Sequence, residues 1–404
     1  MNQDDHGVPA AGLAGECDRL LDFGRHLVHP LGGAGWLDER GEPDLARPVF
    51  SWITARMVHV YVVGHLLGRP DDRQLAERAF AGLTGRLRDR QAGGWFTSVD
   101  ADGTSPDEKA CYTHAFVVLG ASSAVVAEIP GARELLDDAL EVWTSRFFDA
   151  EAEMFADAWN RDFTELGPYR GVNGNMHAVE ALLAAADVLD DQALRHRAFG
   201  IVQRVVTQFA EPQQWRIPEH FDPQWRPLLD HNRDRPDDPF QPFGATVGHG
   251  LEWSRLLLHL EAALGLQAPV WLRPSAIALF DRAVADGWAV DGADGFVYTT
   301  DWDGRPVVRD RMHWVVAEAI AAATALHART GERRFADLAG VWWAYAEEYL
   351  FDRKLGSWHH QLDAQNRVIG TVWPGKPDLY HAVQATVIPR LPLAPSMATA
   401  LGVG

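Results

Sequence analysis

Gly94-Trp95-Phe96-Thr97-Ser98-Val99-Asp100-Ala101-Asp102-Gly103 is a short run of aromatic and β-branched residues closed by an Asp–Gly turn. Strand formers flanking such a turn read as a small hairpin or an extended loop. Segments of the same kind recur as Gly35-Trp36-Leu37-Asp38-Glu39-Arg40-Gly41, Met154-Phe155-Ala156-Asp157-Ala158-Trp159-Asn160 and Arg216-Ile217-Pro218-Glu219-His220-Phe221-Asp222. Two more follow, from Gly295-Phe296-Val297-Tyr298 through Asp301-Trp302-Asp303-Gly304, and Gly356-Ser357-Trp358-His359-His360-Gln361-Leu362-Asp363. The six starts, at 35, 94, 154, 216, 295 and 356, lie 59 to 62 residues apart except for one interval of 79. Six copies at so steady a period mark a repeat architecture.

Working outward, the sequence between these loops has a helical period. Trp52 to Leu67 carries Ile53, Met57, Val60, Tyr61 and Gly64 on one face, and Ala110 to Ala127, Ala178 to Leu189, Leu251 to Leu264, Val315 to Leu326 and Phe335 to Leu350 behave alike. About sixty residues hold two helices of ordinary length plus a loop, so six copies predict about twelve helices. Several are apolar nearly all round and must be buried on most sides, while partners such as Asp71 to Arg90 and Gln192 to Phe209 are amphipathic. An inner ring of apolar helices within an outer ring meets both patterns. The expected fold is all-α, an (α/α)6 barrel of six helical hairpins with short β-hairpin-like loops at one end, residues 1–404 forming a single catalytic domain. An open helical solenoid is the competing arrangement. The extra length of the fourth copy falls at 228–243, rich in Asp, Arg and Pro, and reads as a long loop.

Composition excludes several classes of function. With 47% hydrophobic and 23% charged residues the chain is globular, and a net charge of −19 argues against a nucleic-acid or anionic-membrane partner. Two cysteines, Cys17 and Cys111, exclude a disulfide framework and suit a reducing cytoplasm. The N-terminus shows no basic region followed by an apolar run. Phosphate-cradling Gly-rich motifs, a Gly-x-Ser-x-Gly elbow and zinc-type Cys/His spacings are all absent, so neither metal nor cofactor is expected.

A polar cluster follows each loop, where the next inner helix should begin. The clusters hold Trp52 and Arg56; Lys109, Tyr112 and His114; Arg170, Asn173, Asn175, His177 and Glu180; His249 and Glu252; Arg309, Arg311, His313, Trp314 and Glu318; and Lys376, Asp378, Tyr380, His381 and Gln384. In a barrel these starts meet at one end, giving a cup of aromatic, basic and imidazole groups suited to a monosaccharide. In Gly248-His249-Gly250-Leu251-Glu252-Trp253, a helix starting at the first glycine would put His249 and Glu252 on one face, with Glu252 placed to orient the ring. A lone histidine at a helix start is more often a cap or a packed core group, so the weight rests on recurrence at one phase of six repeats.

At these residues the chain resembles the N-acylglucosamine 2-epimerase superfamily, within it the branch of D-mannose and sulfoquinovose isomerases. The likeness runs from Phe23-Gly24 to Pro395. It is carried by Trp52-Ile53-Thr54-Ala55-Arg56-Met57, Asn175-Met176-His177-Ala178-Val179-Glu180-Ala181, Glu219-His220-Phe221-Asp222, the 295–304 segment and Lys376-Pro377-Asp378-Leu379-Tyr380-His381. The resemblance implies an (α/α)6 barrel and a cofactor-independent aldose–ketose isomerase, with no metal. It implies that His249 and His381 are the acid/base pair, with Arg56, Tyr112, Asn173, His177, Glu252, Trp314, Glu318 and Gln384 around the sugar. The chain departs from the pattern at Gln241, where relatives often carry an arginine. The expected reaction converts D-mannose to D-fructose, and D-lyxose to D-xylulose, through a cis-enediol. Alternatives are a sugar 2-epimerase, a sulfoquinovose isomerase, a glycoside hydrolase on the same barrel, which would need two facing carboxylates, and a sugar-binding protein without catalysis. The expected state is a monomer or homodimer.

Overall fold

A computed structural model describes residues 7–403. Its helices are, in chain order, α1 (Ala10–Phe23), α2 (Ser51–Leu66), α3 (Pro70–Thr84), α4 (Cys111–Val126), α5 (Ala132–Arg146), α6 (Val172–Leu189), α7 (Gln192–Arg204), α8 (Val247–Leu264), α9 (Leu272–Gly287), α10 (His313–Thr330), α11 (Arg333–Tyr345), α12 (Tyr380–Val387) and α13 (Met397–Gly402). The helices α7 and α11 run on into π turns at Val205–Ala210 and Ala346–Leu350. Segments expected from apolar periodicity are helical, and several start a turn or more earlier than expected: α6 at Val172 and α8 at Val247. Polar residues and glycines at those starts, Asn173, Gly174 and Asn175 in α6 and Gly248, His249 and Gly250 in α8, interrupt the apolar period. Residues 228–243 form turns and bends without helix or strand.

The chain divides into two compact units, one of Met1–Leu20, Val202–Lys376 and His381–Ala394, the other of Leu21–Ile201, Pro377–Tyr380 and Pro395–Gly404. In the second of these, α2 packs against α4 and α4 against α6, with α3 lying on α2 and α5 on α4. Burial separates two layers: 14 of 16 residues in α2 and 13 of 16 in α4 are buried, against 6 of 15 in α3 and 5 of 15 in α5. Helix α4 approaches α2 so closely that a Cβ on Gly120 would lie 2.7 Å from the carbonyl oxygen of Ala55, so no side chain fits there. In the other unit α8 packs on α9 and α10, and α10 on α11. Here too the inner pair is buried nearly all round, 14 of 18 residues in each of α8 and α10, while α11 buries 6 of 13.

The aromatic loops close as small hairpins, as read from sequence: Gln361–Leu362 runs antiparallel to Val368–Ile369, and Leu37 bridges Pro43, Phe221 bridges Pro227 and Thr300 bridges Pro306. Their polar tails pair with the two-residue strand that leads into the inner helix one repeat earlier. Val49–Phe50, before α2, is antiparallel to Ser98–Val99; Lys109–Ala110, before α4, to Ala158–Trp159; Ala245–Thr246, before α8, to Thr299–Thr300; and Arg311–Met312, before α10, to Gln361–Leu362. The first helical N–H of each then donates to a carbonyl of the same tail: Ser51 to Thr97, Cys111 to Asp157, Val247 to Tyr298 and His313 to His360. None of these four helices has a side-chain N-cap, so the next repeat supplies a partner that a cap residue would otherwise provide.

Candidate active site

Both candidate acid/base histidines lie in the unit that contains α8 and α10. His249 is the third residue of α8, its ring held by a buried carboxylate: Nδ1 is 2.8 Å from Oε1 of Glu219. His381, the second residue of α12, is held likewise, with Nδ1 3.0 Å from Oε1 of Glu318 on α10. A carboxylate can only accept, so each Nδ1 carries the proton and each neutral ring keeps its lone pair on Nε2. The other oxygen of Glu318 accepts from Nε of Arg255 at 2.8 Å. Burial would raise the Glu318 carboxyl, but the Arg255 guanidinium and the His381 ring hold it below the ordinary range. His249 is 9% exposed and His381 7%, so both rings are mostly screened but not sealed.

The indole of Trp314, from the start of α10, packs on both imidazoles, with centroids 5.1 Å from His249 and 5.7 Å from His381. It also lies over Gly248, where a Cβ would come within 2.4 Å of the ring. The glycine beside the histidine is therefore the room the indole occupies. His313 stacks on His360 at 3.7 Å and meets His381 edge-on at 6.4 Å.

Arg56, Tyr112, Asn173 and His177 belong to the other unit, on α2, α4 and α6. Arg56 is 6% exposed and sits in a box of rings, its guanidinium carbon 4.2 Å from the Phe116 centroid, 4.7 Å from Tyr380 and 4.9 Å from Trp52. It donates to Asp378 at 3.1 Å and to the hydroxyl of Tyr112 at 2.9 Å. Burial would lower this group, but Tyr112, Asp378 and Tyr380 raise it above its ordinary value. His177 packs on Phe116 at 4.6 Å and on the edge of Tyr112 at 5.2 Å. Asn173 is half-buried, and its Oδ1 has no hydrogen-bond partner among the described residues. Tyr380 donates to Glu180.

Several polar residues expected around a sugar are structural. Lys109 donates to Asp89 at 3.0 Å and to the carbonyl of Gly93 at 2.7 Å, and Lys376 does the same to Asp352 and Gly356, both at 2.7 Å. These two repeats use one device, a buried lysine closing a loop that an aspartate turns. Arg311 is clamped by Asp291 at 2.6 and 3.1 Å, and Asn175 bonds the backbone of Phe155 and Gly171. His114 accepts at Nε2 from the N–H of Trp95 and donates at Nδ1 to the carbonyl of Ala110; burial lowers its ring to about 3, so it stays neutral. Gln241 serves its own loop, meeting Nε2 of His231 at 2.9 Å.

One expectation about orientation is corrected. Glu252 does not meet Nδ1 of His249: that nitrogen faces Glu219, and the ion pair of Glu252 is with Arg255 at 3.5 Å. Neighbours on one helix face point in parallel, so a side chain from another segment closes on the ring more directly. Glu219 and Arg255 are functional candidates that the spacing argument did not single out. For Glu219 a signal was present, since it lies in one of the recurring aromatic loops. Gln384, one turn after His381, is 2% exposed.

The pattern of the N-acylglucosamine 2-epimerase family matches residues 32–385, and the chain belongs to that family. It is 50% identical over 97% of its length to a D-mannose isomerase of Thermobifida fusca, covering 96% of that protein. It is 46% identical over 96% of its length to one of Pseudomonas cannabina pv. alisalensis, covering 94%. A crystal structure of D-mannose isomerase superposes with a TM-score of 0.88 at 25% identity, over 95% of this chain and 99% of that one. The fold is that of these enzymes, the (α/α)6 barrel expected from the repeats.

Proposed function

We propose that this protein is an aldose–ketose isomerase that interconverts D-mannose and D-fructose, with D-lyxose as a second substrate. Two relatives with that name, at 50% and 46% identity over nearly the whole chain, support the reading. The observation that carries it is the pair of imidazoles that both pack on Trp314, each backed by a buried carboxylate. A carbon acid beside an aldehyde needs a positioned base that is neutral near the working pH, and imidazole supplies one.

In the open-chain sugar one imidazole takes the proton from C2 while the carbonyl oxygen at C1 gains one, giving the cis-enediol. Return of a proton to C1, with loss of the proton from the C2 hydroxyl, gives the ketose. Atoms and electrons balance without an oxidant. Charge developing on oxygen requires preorganised donors, a role for the second histidine in its protonated form, in which Nε2 also carries a proton. On this reading Arg56, Tyr112, Asn173, His177, Glu252, Trp314 and Gln384 bind the sugar, Glu318 orients His381, and residues 1–404 serve as one catalytic domain. The enzyme works in the cytoplasm without metal or nucleotide. The test is incubation with D-mannose in D2O without added cofactor, followed by NMR. Fructose carrying deuterium at C1 is the expected product; glucose with deuterium at C2 would make the protein a 2-epimerase, and no conversion of mannose would overturn the proposal.

A further inference from the structure

We propose that Glu219 is the positioning residue for His249: its carboxylate accepts the Nδ1 proton, fixes that tautomer and leaves Nε2 as the nitrogen that exchanges protons with the sugar. The catalytic half of this statement rests on the isomerase reading; the tautomer half rests on geometry alone. Glu219 is 4% exposed, and Oε1 lies 2.8 Å from Nδ1 of His249. Its second oxygen, Oε2, is buried and has no hydrogen-bond partner among the described residues. Among the described residues its side chain therefore bonds one imidazole, that of His249. Glu318 differs, since it divides its two oxygens between His381 and the Arg255 guanidinium.

The backbone around Glu219 is held on both sides. Three residues before it, Arg216 forms a buried two-pronged pair with Asp286, at 2.7 and 3.2 Å. The next residue, His220, meets the carbonyl of Pro242 through Nε2 at 2.8 Å, which ties the segment to the end of the 228–243 loop. Phe221 then packs on Phe209, with centroids 4.4 Å apart, and on Trp225 at 5.7 Å. A carboxylate anchored in this way does not swing away from the ring, which is what fixing a tautomer demands. It also gives the long loop a physical link to the site: loop, His220, Glu219, His249.

The experiment uses the full chain with 15N-labelled histidine, at a pH well above the ordinary histidine value of about 6.5 so that the rings are neutral. His249 is assigned by comparison with His249→Asn. The wild-type ring is expected to carry its proton on Nδ1; an Nε2–H ring overturns the proposal without any variant. In Glu219→Gln, whose amide can donate to Nδ1, the Nδ1–H signature is expected to weaken. There kcat should fall by about 10- to 100-fold while KM moves by less than about threefold, the pattern of a supporting group lost behind a reacting one. Glu219→Asp keeps the charge and should retain more of kcat than Glu219→Gln. A Glu219→Gln protein with unchanged kcat and an unchanged tautomer, or one that only melts at a lower temperature, overturns the proposal. A wild type that exchanges no proton with any aldose removes the isomerase reading instead, and the tautomer measurement still decides what Glu219 does.

Discussion

The two polar clusters are built on the same kind of element, the first turns of buried helices, yet they handle charge in opposite ways. Around His249 and His381 the carboxylates of Glu219 and Glu318 face imidazoles, rings whose nitrogens can each donate or accept a proton. Around Arg56 the charge is permanent: a guanidinium enclosed by Trp52, Phe116 and Tyr380, with its terminal nitrogens bonded to Asp378 and Tyr112. On the proposed reading one cluster moves protons and the other holds a fixed field and a fixed shape. The difference teaches that residues at the same phase of a repeat need not share a role. Lys109 and Lys376 make the point again, since each closes a loop.

The largest effect that tests this contrast is on turnover. His249→Asn and His381→Asn should each lower kcat by about a hundred- to ten-thousand-fold, as loss of a general acid or base does, with little change in thermal unfolding. Retention of kcat within about threefold, well short of that effect, would erase the distinction between the clusters and move attention to Glu252. Arg56→Ala should act on stability first. It strips the buried Asp378 of its cation, a change that costs about 3–5 kcal/mol, measurable by urea unfolding, and it should raise KM more than it lowers kcat. A stability loss below about 1 kcal/mol would mean that the box behaves as a surface pair would.

A smaller effect separates packing histidines from reacting ones. Burial holds the His114 ring at about 3 in the folded chain against an ordinary 6.5. The unfolded chain therefore binds a proton that the folded one refuses between those values, so the stabilising contribution is complete above about 6.5 and is lost as pH falls toward 3. Its share of the acid slope is about 1.4 kcal/mol per pH unit. His59, lowered by burial to about 4, contributes in the same direction over a narrower range. His114→Phe should be less stable than wild type at pH 7.5 but show a shallower loss between pH 6 and 4, while kcat at neutral pH stays near that of wild type. An unchanged slope would show that His114 does not titrate as a buried neutral ring. The smallest expected effect is none: exhaustive EDTA treatment should leave turnover intact, and a loss restored by one divalent ion would replace the imidazole scheme with a metal-assisted one.

Much of the site was legible because each repeat prints its own phase. The loops Gly94–Gly103 and Gly295–Gly304 located the starts of α4 and α10, and hence Tyr112 and Trp314, to within a turn. What was not legible is which groups meet. Glu219 reaches His249 across 30 positions, Glu318 reaches His381 across 63, and Asp378 reaches Arg56 across 322. The local candidate for His249, Glu252, loses to Glu219 because three residues along a helix bring two side chains onto one face without turning one toward the other's ring nitrogen.

The sequence by itself determined the repeat and the all-helical class, and it marked His249 and His381 as candidates at helix starts, since period and residue type are properties of the chain. Tertiary structure decided that the aromatic loops lock onto the preceding repeat, that Lys109, Arg311 and Lys376 are structural, and that Trp314 fills the space left by Gly248. It also decided which carboxylate each histidine faces. Pairing of buried charges depends on distances between segments far apart in sequence, and those distances are set only when the helices have packed.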